Sequence, residues 1–243
     1  MSFPSFQTTL PDPNNTIGDA GQPAGTAGPG YASVQLTSDQ PTLRDRTNSG
    51  RILARAIVAH KWRVAIKYNK LTQEEFDRVY SFLIHRRGGL NPFFVSLPQY
   101  RSSRSSTFAS SPYTSQSVSG STAAGSTVIL TDTSGYNSTT HSTPQPGDLF
   151  TVNSSSNSNH LKAYMVTRVE KSGSGNYIAS SSQPASDQLR VHFTPGLSKA
   201  AGTGDSLVFN NPLIKVIASS DTQQYTLDTN NLYSFNLNLE EVQ

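Results

Sequence analysis

Cysteine is absent from the 243-residue sequence. That absence excludes disulfides, thiol nucleophiles and cysteine-ligated zinc, and it fits assembly in a cytosol. Charge is also scarce: Asp, Glu, Lys and Arg make up 14% of the chain, the net charge is +3 and the pI is near 9.1. This balance lacks the concentrated basic charge of a phosphate-backbone binder, so nucleic acid is not expected as a partner. No stretch approaches the roughly 18 apolar residues of a membrane helix. The opening residues MSFPSFQTTLPDPNNT have neither the basic start nor the apolar run of a signal peptide. The expectation is a soluble, unprocessed chain without a membrane partner.

What the chain does contain is Ser, Thr, Asn, Gly and Pro, with 34% hydrophobic residues. At this length it can bury a core, either in one large all-β domain or in two smaller domains. Residues 1–31 contain no Lys or Arg and include GDAGQPAGTAGPG, which can hold neither a helix nor a central strand. They read as an extended arm, with Phe3, Phe6 and Leu10 available for burial against a neighbouring subunit.

Order begins near residue 32, where SVQLTS alternates like a strand. WRVAIKYN then sets Trp62, Val64, Ile66 and Tyr68 on one face, with Arg63, Ala65 and Lys67 on the other. In LTQEEFDRVYSFLIHRRGG, Thr72 and Glu75 form a capping box, and Leu71 with Phe76 a hydrophobic staple. Phe76, Val79, Tyr80 and Leu83 give an apolar stripe over a helix expected at 73–87. Glu74 and Glu75 at its start and Arg86 and Arg87 at its end suit the helix dipole, and Gly88 with Gly89 stops it. The strand FFVSL follows, so the helix is expected to close over a sheet.

The run RSSRSSTFASSPYTSQSVSGS has the composition of a flexible connection, which places a linker at 106–117. Short strands with turn-forming residues between them then fill 118–211, the pattern of a small antiparallel barrel or sandwich. The last segment returns to longer strands, with Tyr233, Phe235, Leu237 and Leu239 on one face. The expected architecture is therefore mainly β. A β-sandwich-like domain from 32–105 and 212–243 is covered by one helix, interrupted by an inserted β-domain at 118–211, and preceded by the arm. Its expected core contains Trp62, Val64, Ile66, Phe76, Val79, Tyr80, Leu83, Phe235 and Leu237.

No motif points to catalysis, a cofactor or a metal. Histidines 60, 85, 141, 160 and 192 are scattered without i, i+4 ligand spacing. There is no Gly-x-Ser-x-Gly elbow, and Gly202-Thr203-Gly204-Asp205 lacks the Lys of a P-loop. The neighbouring carboxylates Glu74-Glu75 and Glu240-Glu241 sit at a helix start and a chain end, and sequons such as those at Asn14 and Asn137 follow from composition. The densest positive run, RDRTNSGRILAR, carries Arg44, Arg46, Arg51 and Arg55 without the interleaved aromatics of a single-strand binder. A solvated face is the ordinary reading of such a run; subunit contact is the sharper one, since Arg is enriched at interfaces. Asp77, Arg78 and Arg86, on the helix side away from the sheet, are candidate contacts of the same kind.

The order Trp62-Arg63-Val64, Leu71-Thr72 before a helix, Arg86-Arg87-Gly88-Gly89, and Asn91-Pro92-Phe93 through Leu97-Pro98 resembles the N-terminal part of distal tail and tail-tip proteins of tailed bacteriophages. Pro146-Gly147-Asp148, Pro195-Gly196-Leu197, Gly204-Asp205, Asn211-Pro212 and the ending LYSFNLNLEEV resemble the rest of such proteins. The resemblance spans about residues 33–242 and rests on pattern, without a single diagnostic motif. It implies a virion structural protein assembled in the host cytoplasm. It further implies a homo-oligomeric ring, a hexamer by the symmetry of the tail tube, joined to tube, hub or tail-tip proteins. Two other readings remain open at this stage. One is a carbohydrate-binding or host-adhesion module, with Tyr136, Tyr164 and Tyr177 of the inserted block as the aromatic platform for a host-surface glycan. The other, with least support, is a tail-associated hydrolase.

Overall fold

The structure is a computed structural model that describes residues 9–13, 16–17, 26–56, 60–154, 160, 162–174 and 182–242. Along the chain, β1 (Thr16–Ile17), β2 (Thr26–Ala27), β3 (Ser33–Asp39), β4 (Thr42–Arg46), β5 (Ile52–Ala56) and β6 (Lys61–Leu71) precede α1 (Gln73–Arg86) and β7 (Phe93–Ser96). A short α2 (Ser106–Ala109) leads to β8 (Ser115–Ser117), β9 (Val128–Asp132), β10 (Leu149–Asn153), β11 (Ala163–Lys171), β12 (Gln188–Thr194) and β13 (Ser206–Val208). The chain ends with β14 (Leu213–Ala218), β15 (Tyr225–Leu227) and β16 (Tyr233–Glu241). The molecule is mainly β, with one substantial helix.

Two units divide the chain. One comprises the residues up to Val95 with Lys215–Val242, and the other comprises Ser96–Ile214.

The first unit is built on a sheet of order β3-β6-β16-β14-β7, with β15 also paired to β16. Alternation along β6 and β16 sets the register: Val64 lies opposite Leu239, Ile66 opposite Leu237 and Tyr68 opposite Phe235. All six side chains are buried, each stabilising the fold by about 1.5–3 kcal/mol in an upper-bound area estimate. Full burial raises the Tyr68 pKa well above its ordinary value, and the neighbouring Tyr31 and Asp12 add to the effect.

The helix is positioned by its own first turn. Thr72 Oγ1 accepts from the Glu75 amide while the Glu75 carboxylate accepts from the Thr72 amide at 3.0 Å. Phe76, Val79 and Leu83 are buried and Tyr80 is half-buried. Phe76 stacks on Tyr233 with centroids 4.4 Å apart. The helix ends at Arg86, one residue short of expectation, because Arg87 adopts the left-handed conformation with φ 55° and its amide caps the Ile84 carbonyl. Gly88 follows with φ 63°; a Cβ there would lie 2.7 Å from Asp221 Oδ1, so glycine is required twice over. Thr72→Ala removes one half of the reciprocal cap and is expected to cost about 1 kcal/mol, read as an earlier unfolding transition of Trp62 fluorescence. Trp62 is the only tryptophan and lies buried in this unit.

The second unit is a six-stranded antiparallel sheet of order β8-β13-β10-β11-β12-β9. Its end strands meet through a Val118–Thr131 bridge and the Ser119 amide bond to the Leu130 carbonyl, so the sheet curls into a barrel. Phe108, Phe150, Tyr164, Phe193 and Phe209 fill it, with Phe150 within 5.5 Å of Tyr164, Phe193 and Phe209.

Two expectations need correction here. The Ser-rich residues 106–117 are not a flexible linker. They hold α2, capped by Ser105, and β8, and Phe108 is fully buried. Ser103 and the Arg104 amide both bond the buried Asp148 carboxylate, the amide at 2.8 Å, which ties the preceding segment to the Pro146-Gly147-Asp148 turn. The serines cap and bond instead of loosening the chain. Residues 96–105, expected with the first β-domain, likewise belong to the second unit.

The arm expectation changes too. Leu10 is fully buried within its own unit, and its amide donates to the Phe94 carbonyl at 2.8 Å, beside a parallel Thr9–Phe94 bridge. It covers the edge of β7 and is not offered to a neighbour. Phe3 and Phe6 lie outside the described residues.

Candidate assembly surfaces

Between β3 and β6 the chain makes the hairpin β4–β5, in register Leu43 to Arg55, Arg44 to Ala54, Asp45 to Leu53 and Arg46 to Ile52. The turn is closed by the Thr47 side chain, which accepts from the Arg51 amide at 3.1 Å, and by Gly50 at φ 81°. Directly opposed residues share a face. Arg44, Arg46 and Ile52 therefore share one side; Leu43, Leu53 and Arg55 share the other. Both sides are open to solvent: Leu43 is 61% exposed, Ile52 57% and Leu53 51%. The four arginines sit in exposed positions, and among the described residues none of them has an ion-pair partner. A two-stranded ribbon is marginally stable by itself in water, so this one is built as if to be covered.

Of the helix residues expected to face a partner, only Asp77 is fully available. Arg78 is mostly covered and paired with Glu74. Arg86 is half-buried with its guanidinium 4.9 Å from the Phe82 ring centroid, and burial lowers its pKa. The long alkyl stems of both fold back over the protein's own surface. In their place the structure exposes Ile84 at 53% and Leu90 at 68%, which the sequence reading passed over. The exposed leucines and isoleucine of the hairpin were missed in the same way. A sequence signal existed: the turn residues Thr47-Asn48-Ser49-Gly50 between two short Leu/Ile/Arg runs are a hairpin pattern.

A second open feature is the edge of the first sheet. β3 pairs with β6 on one side and is the last strand of the order. Among the described residues nothing pairs with its outer edge, whose backbone groups a neighbouring strand can satisfy.

The remaining polar features are internal. Glu170 is fully buried on β11, with Arg190 Nη1 donating to Oε2 at 2.8 Å, His192 Nε2 3.0 Å from Oε1 and Arg168 Nε 3.3 Å from Oε1. The β11–β12 register places Glu170 opposite Arg190 and Arg168 opposite His192, so two guanidinium groups and an imidazole share one carboxylate. His160 Nε2 lies 2.9 Å from the Tyr164 hydroxyl, which also accepts from the Ser198 amide; burial lowers the His160 pKa. The Tyr164 hydroxyl thus stands between His160 and Ser198. Among the described residues no group of three His, Cys, Asp or Glu side chains is arranged to hold a metal ion. A cavity of about 440 Å³ beside β15 and β16 is lined by neutral groups, including Gln223, Tyr225, Asn236 and Asn238.

The aromatic platform expected of a glycan-binding module is corrected by burial. Tyr164 is fully buried and Tyr136 is 3% exposed, with burial raising its pKa; Tyr177 lies outside the described residues. Neither described tyrosine presents a ring face to solvent: Tyr164 points inward from β11, and Tyr136, in the loop after β9, packs against Tyr113 and His141.

Residues 10–100 match the family described as distal tail protein pb9, A domain, N-terminal. The chain is also 27% identical over 224 residues to the distal tail protein pb9 of Escherichia phage T5, covering 88% of this chain and 93% of that protein. The matched N-terminal segment contains the hairpin, β6, its capped helix and β7, while the longer similarity runs through both units. The chain is thus similar to bacteriophage distal tail proteins along most of its length.

Proposed function

We propose that this protein forms a closed homo-oligomeric ring at the distal end of the tail tube, joining the tube to tail-tip or baseplate components. The observation that carries this reading is the uncovered β4–β5 hairpin beside the open β3 edge. Both are exposed hazards in a monomer, and a closed ring covers each with the neighbouring copy. Six subunits is the number implied by the tail-tube symmetry of such proteins. In this reading the split first unit forms the ring, the second is an insertion into it, and the work is mechanical, without a catalytic or cofactor site. The ring is assembled in the host cytoplasm and carried in the virion tail.

The test is a native mass measurement on the full 26.2 kDa chain, paired with imaging of assembled tails. A single closed species of six chains and ring density at the tube end are expected. A chain that stays monomeric across the accessible concentration range and is missing from tails overturns the proposal.

A further inference from the structure

Resting on the ring reading, we infer that the β4–β5 hairpin of one copy docks along the solvent face of α1 of the next, its Arg44–Arg46–Ile52 side against Glu74, Asp77 and Ile84.

The first argument is charge. The hairpin carries four arginines and one aspartate, which equals the net +3 of the whole chain, so the remainder is formally neutral. All of the excess charge is therefore on one ribbon. Its complement exists on the same chain: Glu74, Asp77, Ser81 and Ile84 follow one another at helical spacing along the outer stripe of α1. Asp77 has no ion-pair partner among the described residues, and Glu74 pairs with Arg78 through Oε1.

The second argument is the arrangement of apolar groups. The outer stripe is acidic at its start and apolar at its end, where Ile84 and, just beyond the helix, Leu90 are exposed. The hairpin side offers two arginines and then Ile52, directly opposite Arg46. Docking pairs the cations with carboxylates and covers the aliphatic group that stands beside Arg46. Neither patch has to be repacked for this.

The third argument is size. A five-residue strand spans about 17 Å, and the 14 residues of α1 span about 21 Å. A heterologous contact of this kind, hairpin to helix, repeats around a ring and closes it. It also explains why a helix in a β-rich chain is anchored by a reciprocal cap: a docking rail has to hold its position.

The chain's lack of cysteine makes the test direct. Ile52→Cys and Ser81→Cys introduce one thiol on each partner surface, at exposed positions. Under mild oxidation the double variant, as purified chain and in assembled tails, is expected to form a ladder of linked copies, with about tenfold more linkage than either single variant. Arg44→Glu with Arg46→Glu is expected to weaken association about 100-fold, since like charges then face each other. Adding Asp77→Arg to that variant is expected to recover at least about tenfold of the loss. An unchanged Trp62 unfolding transition verifies that these surface variants are folded. Rings that persist without the ladder and without sensitivity to charge reversal overturn this seam while leaving the ring intact. A chain that is monomeric and missing from tails overturns both. If the hairpin arginines are instead needed for retention on duplex DNA or on phosphatidylglycerol vesicles, and no ladder forms, the occupant is a polyanion and the inference fails.

Discussion

Glu170→Ala is expected to destabilise the second unit by about 3–5 kcal/mol. The carboxylate is fully buried, and Arg190, whose side chain is only 11% exposed, depends on it for its counter-charge. Its removal strands that guanidinium where water replaces the lost partner poorly, while Arg168, at 36% exposure, can turn to solvent. Two controls separate this from simple loss of packing. Glu170→Gln keeps an acceptor for Arg190 and is expected to recover part of the loss. The pair Glu170→Leu with Arg190→Leu is expected to cost less than Glu170→Ala alone, because it removes the stranded charge along with its partner. Denaturant unfolding followed by far-UV circular dichroism should show the barrel transition moving while Trp62 fluorescence, confined to the first unit, stays in place. A Glu170→Ala chain with both transitions unmoved would show that the cluster is solvated and energetically idle.

Phe76→Ala is expected to have the converse signature, a loss of about 3–5 kcal/mol seen in Trp62 fluorescence and absent from the barrel. The ring lies among Tyr80, Tyr225, Tyr233 and Phe235, with centroid separations of 5.0, 4.9, 4.4 and 6.2 Å. Truncation leaves a cavity walled by large rings that cannot collapse into it, and the aromatic pairs are lost as well. Phe76→Leu fills most of the space and is expected to cost about half as much or less. Because the side chain is the main anchor of α1 on β15 and β16, the alanine variant is also expected to weaken association of copies more than Thr72→Ala does. A fluorescence transition that moves by less than 1 kcal/mol, on the order of a cap loss, would mean that the helix is held elsewhere.

These two substitutions differ in how visible they were beforehand. Phe76 was legible because everything that defines it is local: the Thr72–Glu75 cap is complete within one turn, the stripe Phe76-Val79-Leu83 follows from 3.6-residue periodicity, and Trp62 to Tyr68 follow from the two-residue period of a strand. Glu170 was not legible. Nothing near it in the sequence says that Arg190, twenty residues later, will stand opposite it, and a carboxylate with no partner within a turn reads as a surface group.

The same boundary separates the other elements. From local periodicity and caps alone, the sequence determined the mainly β class, the strand through Trp62–Tyr68, the start of the helix and its end to within one residue, and the return of alternation from Tyr233. Tertiary structure alone decided that Phe108 in a serine-rich run belongs to a core, that Tyr136 and Tyr164 face inward, and that Leu10 is spent on β7. It also decided that Leu43, Ile52 and Leu53 stay outside although they are as apolar as the residues of the core. The physical reason is that conformation is set by neighbours within about four residues, through backbone bonds and side-chain spacing, whereas burial is set by which distant strands pair and in what register. Propensity is carried by a single segment; exposure belongs to the assembled sheet.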